Sequence, residues 1–336
     1  MTESLVSKEQ PVNTRSMWGD IAKGIAIIMV VAGHSFNPAG AVCKAVFLVH
    51  MPVFFFIAGY FMNFEKYKDN FTGLLKSTYN RIFVPAIFSF ILFYNIFSKD
   101  DLLTLLYAVG KPVEQFGINP IGYSMWFLFC LIVLRIILYA FLKLTDKFKT
   151  PIALNIIITL IIVHFAAAYS QILKLPWSID IALVALYIAY IGYLFKKYFV
   201  FQKRKLAFLL IPLAIVFGYF DFKYLGLSMN ERFYSAYPVI SVSISVLLCV
   251  LICYMSIFLE KISILNKLLA YLGINSLIIM IFHCISSSSH GGVICTLWRL
   301  LICVLIIEGF ALIPQLKSLY GAKSVFEVFK QQKGQT

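Results

Sequence analysis

The chain has 336 residues, of which 61% are hydrophobic and only 13% are charged. A soluble domain is roughly half apolar, so this composition excludes an ordinary soluble protein and indicates that lipid surrounds most of the chain. The formal net charge of +14 is better explained by Lys and Arg in cytoplasmic loops than by nucleic-acid binding, and we expect no nucleic-acid partner.

Long continuous apolar runs predict an all-α, polytopic membrane protein with about ten transmembrane helices. Each run is close to the roughly 17–25 residues that a helix needs to cross a bilayer, and the alternating pattern of a membrane β-barrel is absent. The segment 100–121 is too polar to span and is predicted to lie at the membrane surface. The predicted spans are 18–36, 45–63, 82–98, 122–142, 152–170, 178–196, 206–221, 237–259, 271–286 and 293–313.

The distribution of Lys and Arg predicts the orientation. With the N-terminus inside, the inner segments hold about three times as many of these residues as the outer loops, as the positive-inside rule requires. We therefore expect both termini in the cytoplasm and the chain in the inner (cytoplasmic) membrane. The predicted organisation is a cytoplasmic tail (1–17), one transmembrane domain (18–313) and a second cytoplasmic tail (314–336).

The first span carries three titratable side chains, Asp20, Lys23 and His34, in the stretch "DIAKGIAIIMVVAGH". At 3.6 residues per turn, Asp20 and Lys23 can pair side by side, and His34 returns to nearly the same helix face. Ionisable groups inside a span are costly and usually face an interior pathway. Asp20 and Lys23 are equally well explained as interfacial residues, with Asp20 capping the helix and Lys23 reaching to the surface.

All five histidines fall in the outer half of the membrane or in an outer loop, if the predicted orientation is followed. Such a cluster suits proton transfer near neutral pH. The competing interpretation is that some of them only hydrogen-bond other helices, which we expect of His164. The histidines are His34, His50, His164, His283 and His290.

Other polar residues within or beside the spans have a structural and a functional interpretation. Arg135 and Glu308 are predicted to be near enough to form a buried ion pair, which need not be functional. Arg81 lies at the mouth of a predicted helix, where it suits either a phosphate group or an anionic lipid. The seven cysteines show no metal-ligand spacing, so no metal site is expected.

Six motifs, in order, resemble the acyltransferase-3 family of integral membrane acyltransferases, and within it the fucose 4-O-acetylase-like branch. The resemblance covers nearly the whole chain and implies a membrane-bound O-acyltransferase. Such a protein moves an acyl group, usually acetyl, from cytoplasmic acetyl-CoA to a hydroxyl of a cell-envelope glycan, such as O-antigen, capsule or exopolysaccharide. The motifs are "DIAKGIAIIMVVAGH", "VHMPVFFFIAGYF", "RIFVP", "MWFLFCLI", "WSIDIALVALYIAYIGYLFKK" and "LGINSLIIMIFH".

The resemblance makes His34 the essential histidine, and Lys23 stands where the family has an Arg. Replacing Arg by Lys keeps the charge but loses the bidentate fork. We predict His34 as the general base for the acceptor hydroxyl, as the acid–base group at the thioester, or as a transient acyl carrier. We also predict catalytic parts for Lys23, Asp20 and His50, and substrate or acyl-CoA contacts for Arg81, Trp126, Arg135, Asn275 and His283.

Two of these residues have specific expected roles. Asn275 is predicted to donate a hydrogen bond to the developing oxyanion. Trp126 is predicted to stack on a sugar ring, although a place in the interfacial aromatic belt explains it as well. A lipid environment and a glycan or lipid-linked saccharide are the expected partners.

A different class of protein also fits the buried charges. A proton-coupled transporter or a glycolipid flippase would carry ionisable side chains within its spans. Against it, the sequence has no two-half symmetry, and the ionisable residues concentrate in the first two spans.

Overall fold

The computed structural model describes residues 17–93, 122–170, 172–286 and 291–333, and the regular elements within these ranges are helices. Residues 1–16, the predicted surface segment 100–121 and His290 lie outside the described residues. The predicted all-α class is therefore confirmed for the part of the chain that the structure describes.

The helices of the described ranges are numbered in chain order. The first eight are α1 (Trp18–Gly33), α2 (Ala41–Phe47), α3 (His50–Tyr60), α4 (Phe64–Tyr67), α5 (Phe71–Thr78), α6 (Val84–Phe93), α7 (Gly122–Phe148) and α8 (Ile152–Ser170). The next eight are α9 (Ile179–Lys197), α10 (Arg204–Phe220), α11 (Pro238–Leu259), α12 (Ser263–Ile274), α13 (Ser276–Phe282), α14 (Val293–Leu312), α15 (Pro314–Tyr320) and α16 (Val325–Lys333). A π-helical turn, Tyr79–Phe83, joins α5 to α6, and another, Asp221–Leu225, follows α10.

Seven helical segments in the described ranges are long and apolar enough to cross a membrane, and the bent pair α12–α13 would make an eighth. They match the predicted spans except the first and the third. Helix α1 has only 16 residues, and the description of α6 ends at Phe93, before the predicted end of that span. A multi-pass membrane protein is thus confirmed, whereas ten spans and two cytoplasmic termini stay predictions.

Helix α1 lies at the centre of the bundle, in contact with α3, α11, α12 and α14. It approaches α12 most closely because each helix has a glycine at the crossing. A Cβ on Gly24 would lie 2.0 Å from the carbonyl oxygen of Leu269, and a Cβ on Gly273 would lie 1.7 Å from that of Asp20. Small residues that allow such backbone contact are a principal means of packing helices in membranes.

The predicted ninth span is a broken helix. Helices α12 and α13 meet at Asn275 with a bend of 62°, and the backbone of Asn275 leaves the helical region there (φ −92°, ψ 14°). Its side-chain Nδ2 donates to the carbonyl oxygens of Tyr271 (3.0 Å) and Lys323 (2.9 Å), and its Oδ1 accepts from the Lys323 backbone N–H (2.9 Å). At the break in the helix, the Asn275 side chain therefore hydrogen-bonds one carbonyl of α12 and ties α12 to the backbone of Lys323.

The segment after α14 folds back onto the bundle. The Tyr320 hydroxyl lies 2.6 Å from Ser89 Oγ on α6. Glu308 Oε1 accepts hydrogen bonds from the Tyr271 hydroxyl (2.7 Å) and from the Val325 backbone N–H (2.9 Å). Residues 314–333 are therefore packed against α6, α12 and α14 by buried and partly buried polar contacts.

The expected pairing of Arg135 with Glu308 is not what the structure has. Arg135 Nε donates to Thr78 Oγ1 at 3.0 Å, whereas Glu308 contacts Tyr271 and the last turns of the chain. The sequence predicts a similar depth in the membrane for both residues. The arrangement of the helices nevertheless places Arg135 against α5 and Glu308 against α12 and the segment that follows α14.

Candidate active site

A narrow cavity of about 30 Å³ lies at the C-terminal end of α1. Four residues predicted from the sequence line it together: His34, His50, Trp126 and His283. They come from four different helices or helix ends that are far apart along the chain. We call this space the histidine cavity.

Each histidine is placed by a helix terminus. His34 caps the C-terminus of α1, His50 is the first residue of α3, and His283 caps the C-terminus of α13. Because α12–α13 runs beside α1 in the same direction, their two capping histidines meet. The ring centroids of His34 and His283 are 5.0 Å apart, and the ring planes are inclined by 44°.

Backbone carbonyls fix the tautomers of two of these rings. The Nδ1–H of His283 donates to the carbonyl oxygens of Met280 (2.9 Å) and Ile279 (3.1 Å), and that of His50 donates to Val46 (2.8 Å). A carbonyl can only accept, so in both neutral rings Nε2 carries the lone pair. The Nε2 of His283 is buried and makes no hydrogen bond within the described part of the chain.

Arg299 of α14 fixes the end of α1. Its Nη1 donates to the His34 carbonyl oxygen at 2.6 Å, and its Nε donates to that of Ser286 at 3.1 Å. The last carbonyls of a helix lack intrahelical partners and carry partial negative charge, so a guanidinium stabilises them. Arg299 thereby joins the C-terminus of α1 to the segment that follows His283.

A second cavity, of about 200 Å³, lies beside the N-terminal half of α1. Lys23 and Arg81 line it together with Ser276 and apolar side chains, and we call it the cationic cavity. Lys23 Nζ lies 2.6 Å from Asp20 Oδ1, so the predicted pairing of these residues is confirmed. Lys23 of α1 and Arg81 of the π-helical turn before α6 thus both face the mostly apolar cationic cavity.

The two cavities share one wall residue, Met280 of α13. Adjacent residues of α7 also face the two spaces, since Trp126 lines the histidine cavity and Phe127 the cationic cavity. Methionine is flexible and fills irregular gaps. Met280 is therefore a side chain that lies at the boundary of both cavities.

A loop after α10 covers the histidine cavity. Ser228, Met229 and Glu231 contribute to its lining. The neighbouring Arg232 is buried and bonds Asp180 of α9, with 2.6 Å between Nε and Oδ2 and 3.5 Å between Nη2 and Oδ1. A buried, two-point ion pair holds the loop in one geometry and so positions Glu231 at the cavity.

Three other sequence-predicted residues lie elsewhere. Asn275 and Arg135 line neither cavity, and the contacts of Asn275 are with the backbone of Tyr271 and Lys323. His164 is exposed on α8 and contacts the ring of Phe165. The sequence predicts that His164 hydrogen-bonds another helix, but within the described residues its exposed ring makes no such bond.

Four residues that had no predicted functional role line these cavities or lie beside their histidines. Met280 and Glu231 line the cavities, Cys284 lies close to His34 and His283, and Arg299 bonds the His34 carbonyl oxygen. Arg299 carried a signal, because an arginine within a span is rare and usually functional. Met280 and Cys284 lie in an apolar run and Glu231 in a polar loop, where side chains of these types are ordinary.

Comparison with known proteins agrees with this architecture. A family model described as an acyltransferase domain matches residues 18–316, which is most of the chain. No curated protein and no solved structure gives a significant match. The matched region contains both cavities and all the helices that form them, and the chain belongs to the acyltransferase-3 family of membrane acyltransferases.

Proposed function

We propose that this protein is an O-acyltransferase that moves an acetyl group from acetyl-CoA to a hydroxyl of a cell-envelope glycan, in the manner of the fucose 4-O-acetylase-like branch. The observation that carries the proposal is the pair of cavities along α1. One presents two cations, the other presents three histidines, and Met280 is common to both. This is the layout that a donor site and a transfer site on opposite sides of one membrane domain would need.

The cationic cavity suits the donor. Acetyl-CoA carries several phosphates, and Lys and Arg bind phosphate through charge-assisted hydrogen bonds. Lys23 and Arg81 would lie toward the cytoplasm in the predicted orientation, where the donor is found. The remaining lining is apolar, including Phe54, Leu128 and Leu277, and suits the less polar arm that carries the thioester.

The path between the cavities follows α1. Lys23 and His34 are eleven positions apart, which is a rise of about 16 Å at 1.5 Å per residue. The arm would extend along this length, and the acetyl group would pass Met280 to reach His34. Such a path would let a cytoplasmic donor serve histidines at the other end of the helix.

The chemistry at His34 is a proton transfer coupled to acyl transfer. His34 removes the proton of the acceptor hydroxyl, and that oxygen attacks the thioester carbonyl carbon. When the tetrahedral intermediate collapses, the C–S bond breaks and the imidazolium returns the proton to the departing thiolate. His50 and His283, whose tautomers are fixed by backbone carbonyls, orient the acceptor and His34.

The acceptor would enter beneath the loop that Arg232 holds. Trp126 and Glu231 line that side of the histidine cavity. An aromatic ring offers a flat face to a sugar, and a carboxylate accepts hydrogen bonds from its hydroxyls. A glycan or lipid-linked saccharide in the inner membrane is the partner that this lining suits.

The test uses membranes containing the chain or its His34→Gln variant, supplied with acetyl-labelled acetyl-CoA and glycan extracts. We expect the parent to move label into the glycan fraction and His34→Gln to move none. His164→Gln is the matched control. Because the His164 ring is exposed on α8, this variant should transfer acetyl as the parent does. Equal transfer by His34→Gln would refute the role of His34. No transfer by the parent with any acyl-CoA or extract would leave the proton-coupled transporter or flippase as the hypothesis to test.

A further inference from the structure

We propose that His34, His283 and Cys284 form a binding site for a thiophilic divalent metal ion, with Zn²⁺ as the natural test ion. One ligand atom from each residue, two ring nitrogens and one sulfur, can be chosen so that all three lie within 4.8 Å of one another. No sequence pattern indicated this site, because His34 lies far along the chain from His283 and the spacing matches no metal motif.

The geometry is close to that of a zinc site. Zinc binds nitrogen at about 2.0–2.1 Å and sulfur at about 2.3 Å in a tetrahedron, so its ligand atoms are roughly 3.5 Å apart. Metal binding would therefore require rotations of the His34 and Cys284 side chains that shorten separations of up to 4.8 Å by about 1.3 Å. Three protein ligands leave one position open for water or another small ligand.

His283 is prepared as a ligand. Its Nδ1–H is engaged by the carbonyl oxygens of Met280 and Ile279, which is the backing that metal-bound histidines usually have. This leaves the lone pair on Nε2, and Nε2 is a buried atom without a hydrogen-bond partner among the described residues. A buried acceptor without a partner is costly, and a metal ion would satisfy it.

The local charge selects the kind of metal. The guanidinium of Arg299 lies beside the site, bound to the carbonyl oxygens of His34 and Ser286, so an additional cation meets repulsion. A thiolate from Cys284 removes one charge from the bound ion. Cys284 is free of any disulfide, and the two-nitrogen, one-sulfur set favours zinc, cobalt or copper over Mg²⁺ or Ca²⁺.

Metal binding would compete with the chemistry at His34. A ring nitrogen whose lone pair is on a metal cannot accept a proton, so an occupied site would stop acyl transfer. This consequence rests on the proposed function, whereas the binding itself does not. The site would make the protein reversibly sensitive to free zinc.

Binding is measured on the full chain purified in detergent, with Zn²⁺ in competition with a chromophoric chelator and with Co²⁺ followed by absorption. We expect one tight equivalent and a thiolate-to-cobalt charge-transfer band. Cys284→Ser should lose that band and weaken zinc binding by at least about 10- to 100-fold, the loss that even outer-shell changes cause. Cys43→Ser is the matched control, because its thiol near the same end of α1 only donates to the Gly33 and Phe36 carbonyls, which a hydroxyl can do.

The second measurement is acetyl transfer with and without zinc. Zinc should inhibit the parent and Cys43→Ser, whereas Cys284→Ser should transfer normally without zinc and resist it. The inference is overturned if the parent binds no zinc, or if Cys284→Ser binds and responds as the parent does. A parent without acetyl transfer would contradict the proposed function, and the binding experiment would still decide the metal site.

Discussion

The close crossing of α1 and α12 makes a sharp prediction for Gly273→Ala. The new Cβ would lie 1.7 Å from the backbone oxygen of Asp20 and 2.8 Å from the backbone nitrogen of Gly24, and real Cβ atoms stay at least 3.0 Å from any such atom. No flexible side chain can yield, so the two helices must separate by more than about 1 Å. Overpacking of this kind costs about 1–3 kcal/mol of stability, which should lower the midpoint of thermal unfolding in detergent.

The same separation should reach the histidine cavity. Helix α1 carries His34 and α12–α13 carries His283, so moving the helices apart changes the 5.0 Å ring distance. A misplacement of about 1 Å in a catalytic constellation can cost about 10²-fold in rate. We therefore expect acetyl transfer by Gly273→Ala to fall by about that factor in the labelled acetyl-CoA assay, with folded protein still present.

Gly309→Ala is the matched control. Gly309 lies within α14, and a Cβ there would meet nothing within 4 Å. Alanine in a helix is favoured over glycine by about 0.5–1 kcal/mol, so this variant should be slightly more stable and fully active. The importance of the close crossing is refuted if Gly273→Ala has the same unfolding midpoint and the same rate of acetyl transfer as the parent. It is also refuted if Gly273→Ala and Gly309→Ala lose activity equally.

Three further predictions concern charges. Arg81→Gln should raise the KM for acetyl-CoA by about tenfold or more, because a charge-assisted hydrogen bond contributes about 1.5–3 kcal/mol, and kcat should change little. Asp180→Asn leaves Arg232 buried without its counter-charge and should cost about 3–5 kcal/mol of stability, seen as a lower unfolding midpoint. The hydrogen bond from Lys317 lowers the pKa of Glu327 from its ordinary value of 4.5. The ion pair of Glu327 with Lys317 therefore stabilises α16 fully above pH 4.5, and this stabilisation is lost as the pH falls through the lowered pKa of Glu327 in the folded protein. The measurement is the protection of α16 amides from hydrogen exchange as a function of pH.

Each of these predictions has its own control. Lys76→Gln changes an exposed cation on α5 and should leave the KM unaltered. Asp146→Asn breaks an exposed pair with Lys68 and should cost no more than about 1 kcal/mol. Glu327→Gln should make the protection of α16 independent of pH in the acid range. The role of Arg81 would be contradicted if Lys76→Gln raised the KM as much as Arg81→Gln, and that of Asp180 if Asp146→Asn destabilised the protein as much as Asp180→Asn. The role of Glu327 would be contradicted if Glu327→Gln kept the acid-dependent loss of protection in α16.

Several features of the fold could be predicted from the sequence because they are local. Helix α11 runs over Pro238–Leu259, within one residue of the predicted span, since a proline opens it and a continuous apolar run fills it. The pairing of Asp20 with Lys23 follows from their spacing on one helix. The break at Asn275 was not predicted, because its stabilising partner, the backbone of Lys323, is 48 positions away.

The sequence by itself determined the membrane environment, most of the spanning helices and the presence of costly histidines in them. The bilayer acts on each apolar segment separately, so composition and run length are enough for these conclusions. Only the tertiary structure decided which histidines meet, that His164 stays apart, and that Met280, Arg299 and Cys284 lie beside them. Those outcomes depend on how the helices cross, and the crossing is set by contacts such as Gly24 with Leu269, between residues whose distance along the chain carries no local signal.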